Sequence, residues 1–150
     1  MQKVLCVCLG NTCRSPMMEA MLQHELSVRG IEAQVESAGL LKEAEGQDAF
    51  ASSVKEMRDR GLDISGHKSR HVGSIGELTQ FDLIICVGKP EADRMVALEP
   101  TLGDRVVVAN ELNGGIPNPW EKGSEAYRTC ALTIVSVMSQ MAEDLSSRWK

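Results

Sequence analysis

The sequence predicts a doubly wound α/β fold: a four-stranded parallel sheet with helices on both faces, in one domain spanning residues 1–150. Three observations predict it. Short apolar runs such as Val4–Val7 and Phe81–Val87 ("FDLIICV") have the length and side chains of buried strands. Helical segments alternate with them, and that alternation gives a parallel sheet covered on both faces. The final segment, about Ser124 to Arg148, carries Tyr127, Ala131, Ile134, Val135, Met138, Met141, Ala142 and Leu145 at helical spacing, the stripe of a helix packed on a core.

Val4–Val7 is the first strand. Ser15 is read as an N-cap and Pro16 as the first helical position of a helix that runs to about Arg29 and stops at Gly30. Ala33–Ser37 is the second strand, and Asp48–Arg60 a second helix closed by Gly61. Phe81–Val87, a helix from about Pro90 to Leu98 and the strand Arg105–Ala109 complete the alternation. No repeat, low-complexity tract or linker divides the 150 residues, a length that supports one proper core.

A content of 43% hydrophobic and 25% charged residues is ordinary for a soluble globular protein. The net charge of −5 and pI near 5.2 argue against nucleic acid as a partner. An anionic small ligand remains compatible, since a local basic site fits in an acidic protein. The N-terminus has one Lys and then about six apolar residues, too few for a signal peptide or a membrane span. The expectation is a cytoplasmic protein without membrane contact. Five cysteines in a reducing compartment read as reactive or buried thiols rather than structural disulfides.

Directly behind the first strand stands "CLGNTCRSP", residues 8–16. In parallel sheets ligands bind at the carboxyl ends of strands, near a switch in strand order. Consecutive backbone N–H groups in a tight loop form an anion nest, and a following helix N-terminus adds free N–H groups and partial positive charge. Arg14 can clamp two phosphate oxygens in bidentate fashion. Such surroundings also favour the thiolate of a cysteine placed among them. Cys8 on the floor of this cradle is then a nucleophile aimed at phosphorus, for phosphoryl transfer through a phosphocysteine intermediate. A metal held by Cys6, Cys8 and Cys13 is the competing reading; no further Cys/His cluster completes it, and Arg14 would repel a cation. Cys6, Cys86 and Cys130 read as core.

With these residues in place, the sequence resembles the low-molecular-weight protein tyrosine phosphatases. The resemblance lies in "VLCVCLGNTCRSPMMEA", "ESAGL", "GLDISGHKSR" and "FDLIICV", nearly the whole chain. It implies a four-stranded parallel sheet and no metal or organic cofactor. It implies Cys8 as nucleophile, Arg14 as phosphate clamp, and the backbone of Leu9, Gly10, Asn11, Thr12, Cys13, Arg14 and Ser15 as phosphate cradle. Asn11, Ser15, Ser37 and His67 resemble the family's hydrogen-bonded loop support; taken alone, His67 reads as a surface or capping histidine. Cys13 resembles the loop thiol that forms a reversible disulfide with the nucleophile, here Cys8. The implied partners are a phosphotyrosine-containing protein or small aryl phosphate, with inorganic phosphate or another oxyanion as product or inhibitor.

The resemblance breaks at Ile116-Pro117-Asn118-Pro119-Trp120. The family has an aspartate before a proline and an aromatic residue, and that aspartate is the general acid. Asn118 holds the position here, and an amide cannot give a proton to a leaving oxygen. Losing a general acid costs about 10²–10⁴ in rate. Glu121 is the nearest carboxylate, and a solvated loop charge is its ordinary reading. The chain has two Trp, two Phe and one Tyr from which to build walls for a phosphotyrosine. Trp120 is the expected wall, with Leu9, Leu40 and Leu41 opposite. The stretch Leu41–Glu45 lacks the aromatic that many family members carry, and Thr12 resembles members acting on phosphoarginine. An arsenate reductase on the same fold would need a further cysteine near Cys86. A phosphate-binding protein that has lost turnover is supported only by Asn118.

Overall fold

The computed structural model describes residues 1–150. Its strands are β1 (Gln2–Cys8), β2 (Ala33–Gly39), β3 (Leu83–Cys86) and β4 (Val106–Val108), and its α-helices α1 (Arg14–Val28), α2 (Ala51–Arg58), α3 (Lys89–Leu98) and α4 (Ser124–Trp149). The sheet order is β2-β1-β3-β4, every pair parallel. The four strands and four helices therefore stand where the sequence reading put them, with no end moved by more than three residues.

Alternation along β1 sorts the core into two layers. Val4, Cys6 and Cys8 face a layer completed by Met17, Met18 and Leu22 of α1, Met57 of α2, and Cys130, Ile134 and Met138 of α4. Leu5 and Val7 face the other layer, with Ile84, Cys86, Ala92, Met95 and Phe81. Cys6, Cys86 and Cys130 are core residues, as expected. Burial pushes the thiols of Cys86 and Cys130 up to about 12 and that of Cys6 well above its ordinary value, so these thiols stay protonated. Within the terminal stripe, Val135 and Met141 are only half-buried and pack at the core's edge.

Strand β1 lies between β2 and β3, so the chain leaves its carboxyl end toward β2 and later returns on the other side. This switch point opens a crevice at Cys8, the last residue of β1. Two glycines let other segments approach it. A Cβ on Gly39 would lie 2.8 Å from the Leu9 carbonyl oxygen, and one on Gly115 would collide with the Val87 carbonyl. Bare backbone at these positions brings the end of β2 against the loop after β1, and the segment before Ile116 against the end of β3.

Two helix starts differ from expectation. Ser15 does not cap α1: Cys13 holds the N-cap position without a side-chain hydrogen bond, because the Ser15 hydroxyl is engaged in the loop. Pro16 is the third helical residue, where its missing N–H is still one that the helix would leave unpaired. The second helix begins at Ala51 rather than Asp48. Residues 48–50 are extended, with Asp48 bridged to Lys68 and the Phe50 N–H donated to the Thr12 carbonyl at 2.9 Å. No helix is long and apolar enough to cross a membrane.

Candidate active site

The loop from Cys8 to Ser15 joins β1 to α1 and turns around Asn11, whose φ of 57° lies in the left-handed region. A non-glycine residue stays there only when its surroundings hold it, and the Asn11 side chain is fully buried and fully bonded. Its Nδ2 donates to Ser15 Oγ at 2.7 Å and Ser37 Oγ at 2.9 Å, and its Oδ1 accepts the Arg70 N–H at 2.9 Å. Its carbonyl accepts from His67 Nε2 at 2.7 Å, so that nitrogen carries the imidazole proton. The four residues taken from the resemblance as loop support thus meet in one network. Arg70 and Glu19 extend it: Ser37 Oγ donates to Glu19 Oε1 at 2.6 Å.

The network points its hydrogens. The Glu19 carboxylate accepts only, so Ser37 spends its proton there and accepts from Asn11. Ser15 Oγ likewise accepts from Asn11, which leaves its own proton for Cys8 Sγ, 2.9 Å away. The Asn11 N–H also donates to Cys8 Sγ, at 3.3 Å. Two donors therefore converge on the sulfur. The backbone N–H groups of Gly10, Thr12 and Cys13 find no acceptor within the chain, and those of the first turn of α1 have none in the helix. Free amides, a helix N-terminus and a sulfur thus surround one point, with the features of an anion nest.

Arg14 is buried, has no carboxylate partner, and donates through Nη1 to the Ile116 carbonyl at 2.7 Å. That bond ties the segment carrying Asn118 to the loop and leaves the other guanidinium N–H groups free. Above the sulfur lies a pocket of about 190 Å³. Leu9, Gly10, Thr12, Cys13 and Arg14 form its loop side, and Leu41, Asn118 and Trp120 rise from the rim. Asn118 Oδ1 accepts the Trp120 N–H at 3.1 Å, which fixes the amide in a short turn beside the pocket. A larger open groove of about 640 Å³ behind the loop exposes Glu19 and His67; it holds neither Cys8 nor Arg14.

One expectation is corrected. Leu40 is not a wall: it is 4% exposed and packs with Leu5, Val7 and Val72 in the core. Neighbouring residues in extended chain point opposite ways, so Leu41 reaches the pocket and Leu40 cannot. Glu121 is exposed, at a φ of 62°, and lies outside the pocket lining, as its reading as a solvated loop charge has it. The aromatic absent from 41–45 is supplied by Phe50, whose ring lies 9° from parallel to Trp120 with centroids 6.4 Å apart. Sequence reasoning missed Phe50, Ala44 and Gln47 in the lining. Phe50 could have been found as one of only two phenylalanines, standing at a helix start.

Cys13 turns away from solvent, its Sγ 3.4 Å from Tyr127 Oη on α4. Burial pushes this thiol up, opposed by the hydrogen bonds of Tyr127 and Thr12. Burial pushes the Tyr127 phenol up as well.

The fold and this cradle define an α/β protein that handles phosphate with a thiol at the end of its first strand. The family described as low molecular weight phosphotyrosine protein phosphatase matches residues 3–150. A probable low molecular weight protein-tyrosine-phosphatase, EpsP, of Ralstonia solanacearum is 31% identical over 133 residues, 87% of each chain. The protein-arginine-phosphatase of Geobacillus stearothermophilus is 26% identical over 149 residues, 97% of each chain. Among solved structures, the low molecular weight protein tyrosine phosphatase from T. tengcongensis superimposes with a TM-score of 0.88 at 26% identity. It covers 96% of this chain and 99% of its own. The chain belongs to the low-molecular-weight phosphotyrosine protein phosphatase family and is a cysteine-dependent phosphatase.

Proposed function

We propose that this protein hydrolyses phosphomonoesters of the phosphotyrosine type through a phosphocysteine on Cys8. The observation that carries the reading is the convergence on one small pocket of the Cys8 sulfur, the unpaired loop amides and the free face of the Arg14 guanidinium. The amides and Arg14 hold three phosphoryl oxygens and stabilise the charge that builds on them. Cys8 Sγ attacks phosphorus in line with the leaving oxygen, forming the S–P bond as the P–O bond breaks. Water then attacks the phosphocysteine and releases phosphate, returning the sulfur as thiolate with Ser15 and Asn11 again donating to it.

Asn11, Ser15, Ser37 and His67 act through the loop, with Arg70 and Glu19, by holding the amides in place. Trp120, Phe50, Leu41, Leu9 and Thr12 bound the leaving group, and the aromatic pair favours an aryl ester. A phosphoarginine substrate is the second reading, supported by Thr12 in the wall and by the protein-arginine-phosphatase relative. Cys13, in the same pocket as Cys8, is its proposed partner in a reversible disulfide.

The test is turnover of p-nitrophenyl phosphate by the native chain and by Cys8→Ser. The variant is expected to lose at least about 10⁴-fold in rate while still binding vanadate or phosphate. Activity within tenfold of native would remove Cys8 from the chemistry.

A further inference from the structure

We infer from the pocket lining that this chain selects phosphoryl donors whose leaving group departs as a stable anion, and that acyl phosphates, which release a carboxylate, are the donors it serves best. The inference rests on the reading of Cys8 as nucleophile. The side chains around the sulfur include no carboxylate, imidazole, ammonium or phenol. The residue at the acid position is Asn118, whose amide is held in its turn by the Trp120 N–H. Besides Cys8, Cys13 is the one thiol there, and burial keeps its proton bound. Arg14 does not give up a proton in proteins. Glu121 and the buried Tyr127 are both outside the lining. The pocket can therefore donate hydrogen bonds to a departing oxygen but cannot transfer a proton to it.

That deficiency discriminates among substrates. A tyrosine phenol has an ordinary pKa of about 10 and an aspartate carboxyl about 3.9. The phenolate is a poor leaving group unless it is protonated as the P–O bond breaks, which is the task of a general acid. A carboxylate leaves with the bonding electron pair and needs no proton. Written out, the Cys8 thiolate forms the S–P bond while the acyl P–O bond breaks, releasing RCOO⁻. Water then adds to phosphorus, the S–P bond breaks, and the products are the Cys8 thiolate and H₂PO₄⁻. Both water protons end on phosphate or solvent. The Asn118 amide stabilises the departing anion through a hydrogen bond, as an oxyanion-hole donor does. The Phe50–Trp120 pair favours a flat apolar acyl group over a small one. A free acyl phosphate and an aspartyl phosphate on a protein share this anhydride chemistry.

The experiment compares kcat/KM for benzoyl phosphate and phenyl phosphate, which share a ring and differ in leaving group, in the native chain and in Asn118→Asp. Buffer hydrolysis is subtracted. The native chain is expected to favour benzoyl phosphate by at least a hundredfold, and Asn118→Asp to narrow that ratio at least tenfold by accelerating phenyl phosphate. A protein carrying aspartyl phosphate, assayed alongside, assigns the source: its dephosphorylation at a comparable rate selects the protein-bound donor, and its persistence the free one. Equal rates on the two substrates in the native chain, or a ratio unchanged in Asn118→Asp, would overturn the inference. Turnover that survives Cys8→Ser would overturn the reading beneath it instead.

Discussion

The loop at 8–15 and the segment at 116–121 meet at one pocket and are joined by the Arg14–Ile116 hydrogen bond, yet they are built differently. In the first, Asn11 and Ser15 are fully buried and every polar atom of the Asn11 side chain is bonded. In the second, Pro117, Trp120 and Glu121 are exposed and Asn118 bonds only within its own turn. The first keeps the cysteine, asparagine, arginine and serine that carry the resemblance, and the second departs from it at Asn118. A buried network punishes substitution, since removing one partner strands the others at about 1–3 kcal/mol each. A rim residue meets no such resistance. The loop proposed for binding and nucleophilic attack is thus anchored in the fold, whereas the position proposed for proton transfer is one replaceable side chain.

Three substitutions probe the two sides, in falling order of effect. Arg14→Lys keeps the charge and loses the planar fork, so kcat/KM for p-nitrophenyl phosphate should fall by about 10³-fold or more. Near-normal kinetics would reduce Arg14 to a tether for Ile116. Asn118→Asp should raise the rate on phosphotyrosine about tenfold to a thousandfold and on p-nitrophenyl phosphate by less, because the better leaving group needs less protonation. A gain below about twofold on both would mean that position 118 is not the acid position or that another step limits turnover. Trp120→Ala should cost aryl phosphates about twofold to tenfold in kcat/KM, the worth of an aromatic contact, and leave small alkyl phosphates nearly unchanged. Equal losses on both would take Trp120 out of the wall.

The sequence made the strands and the nucleophile loop legible because their signals are local. An apolar run, a glycine and an arginine before a helix start lie within a dozen residues. What it left hidden comes from far along the chain or from side-chain direction. Arg70 reaches Asn11 across 59 positions and Phe50 meets Trp120 across the pocket mouth, and neither pairing has a spacing to read. Leu40 and Leu41 are alike in composition, and only the direction of the extended chain after Gly39 sends one to the core and the other to the pocket. Ser15 has the residue type of a cap, but the Asn11 amide and the Cys8 sulfur claim its hydroxyl first.

The central claim is an intact nucleophile loop working without a proton-transfer residue. In such a site the first step on p-nitrophenyl phosphate proceeds, and hydrolysis of the phosphocysteine lags because no carboxylate activates water. Rapid mixing of enzyme with p-nitrophenyl phosphate tests this most directly. A burst of p-nitrophenolate stoichiometric with protein is predicted, with phosphate recovered covalently on Cys8 and a faster steady state after Asn118→Asp. A linear time course with no phosphate on Cys8, from a chain that nonetheless turns over, would contradict it.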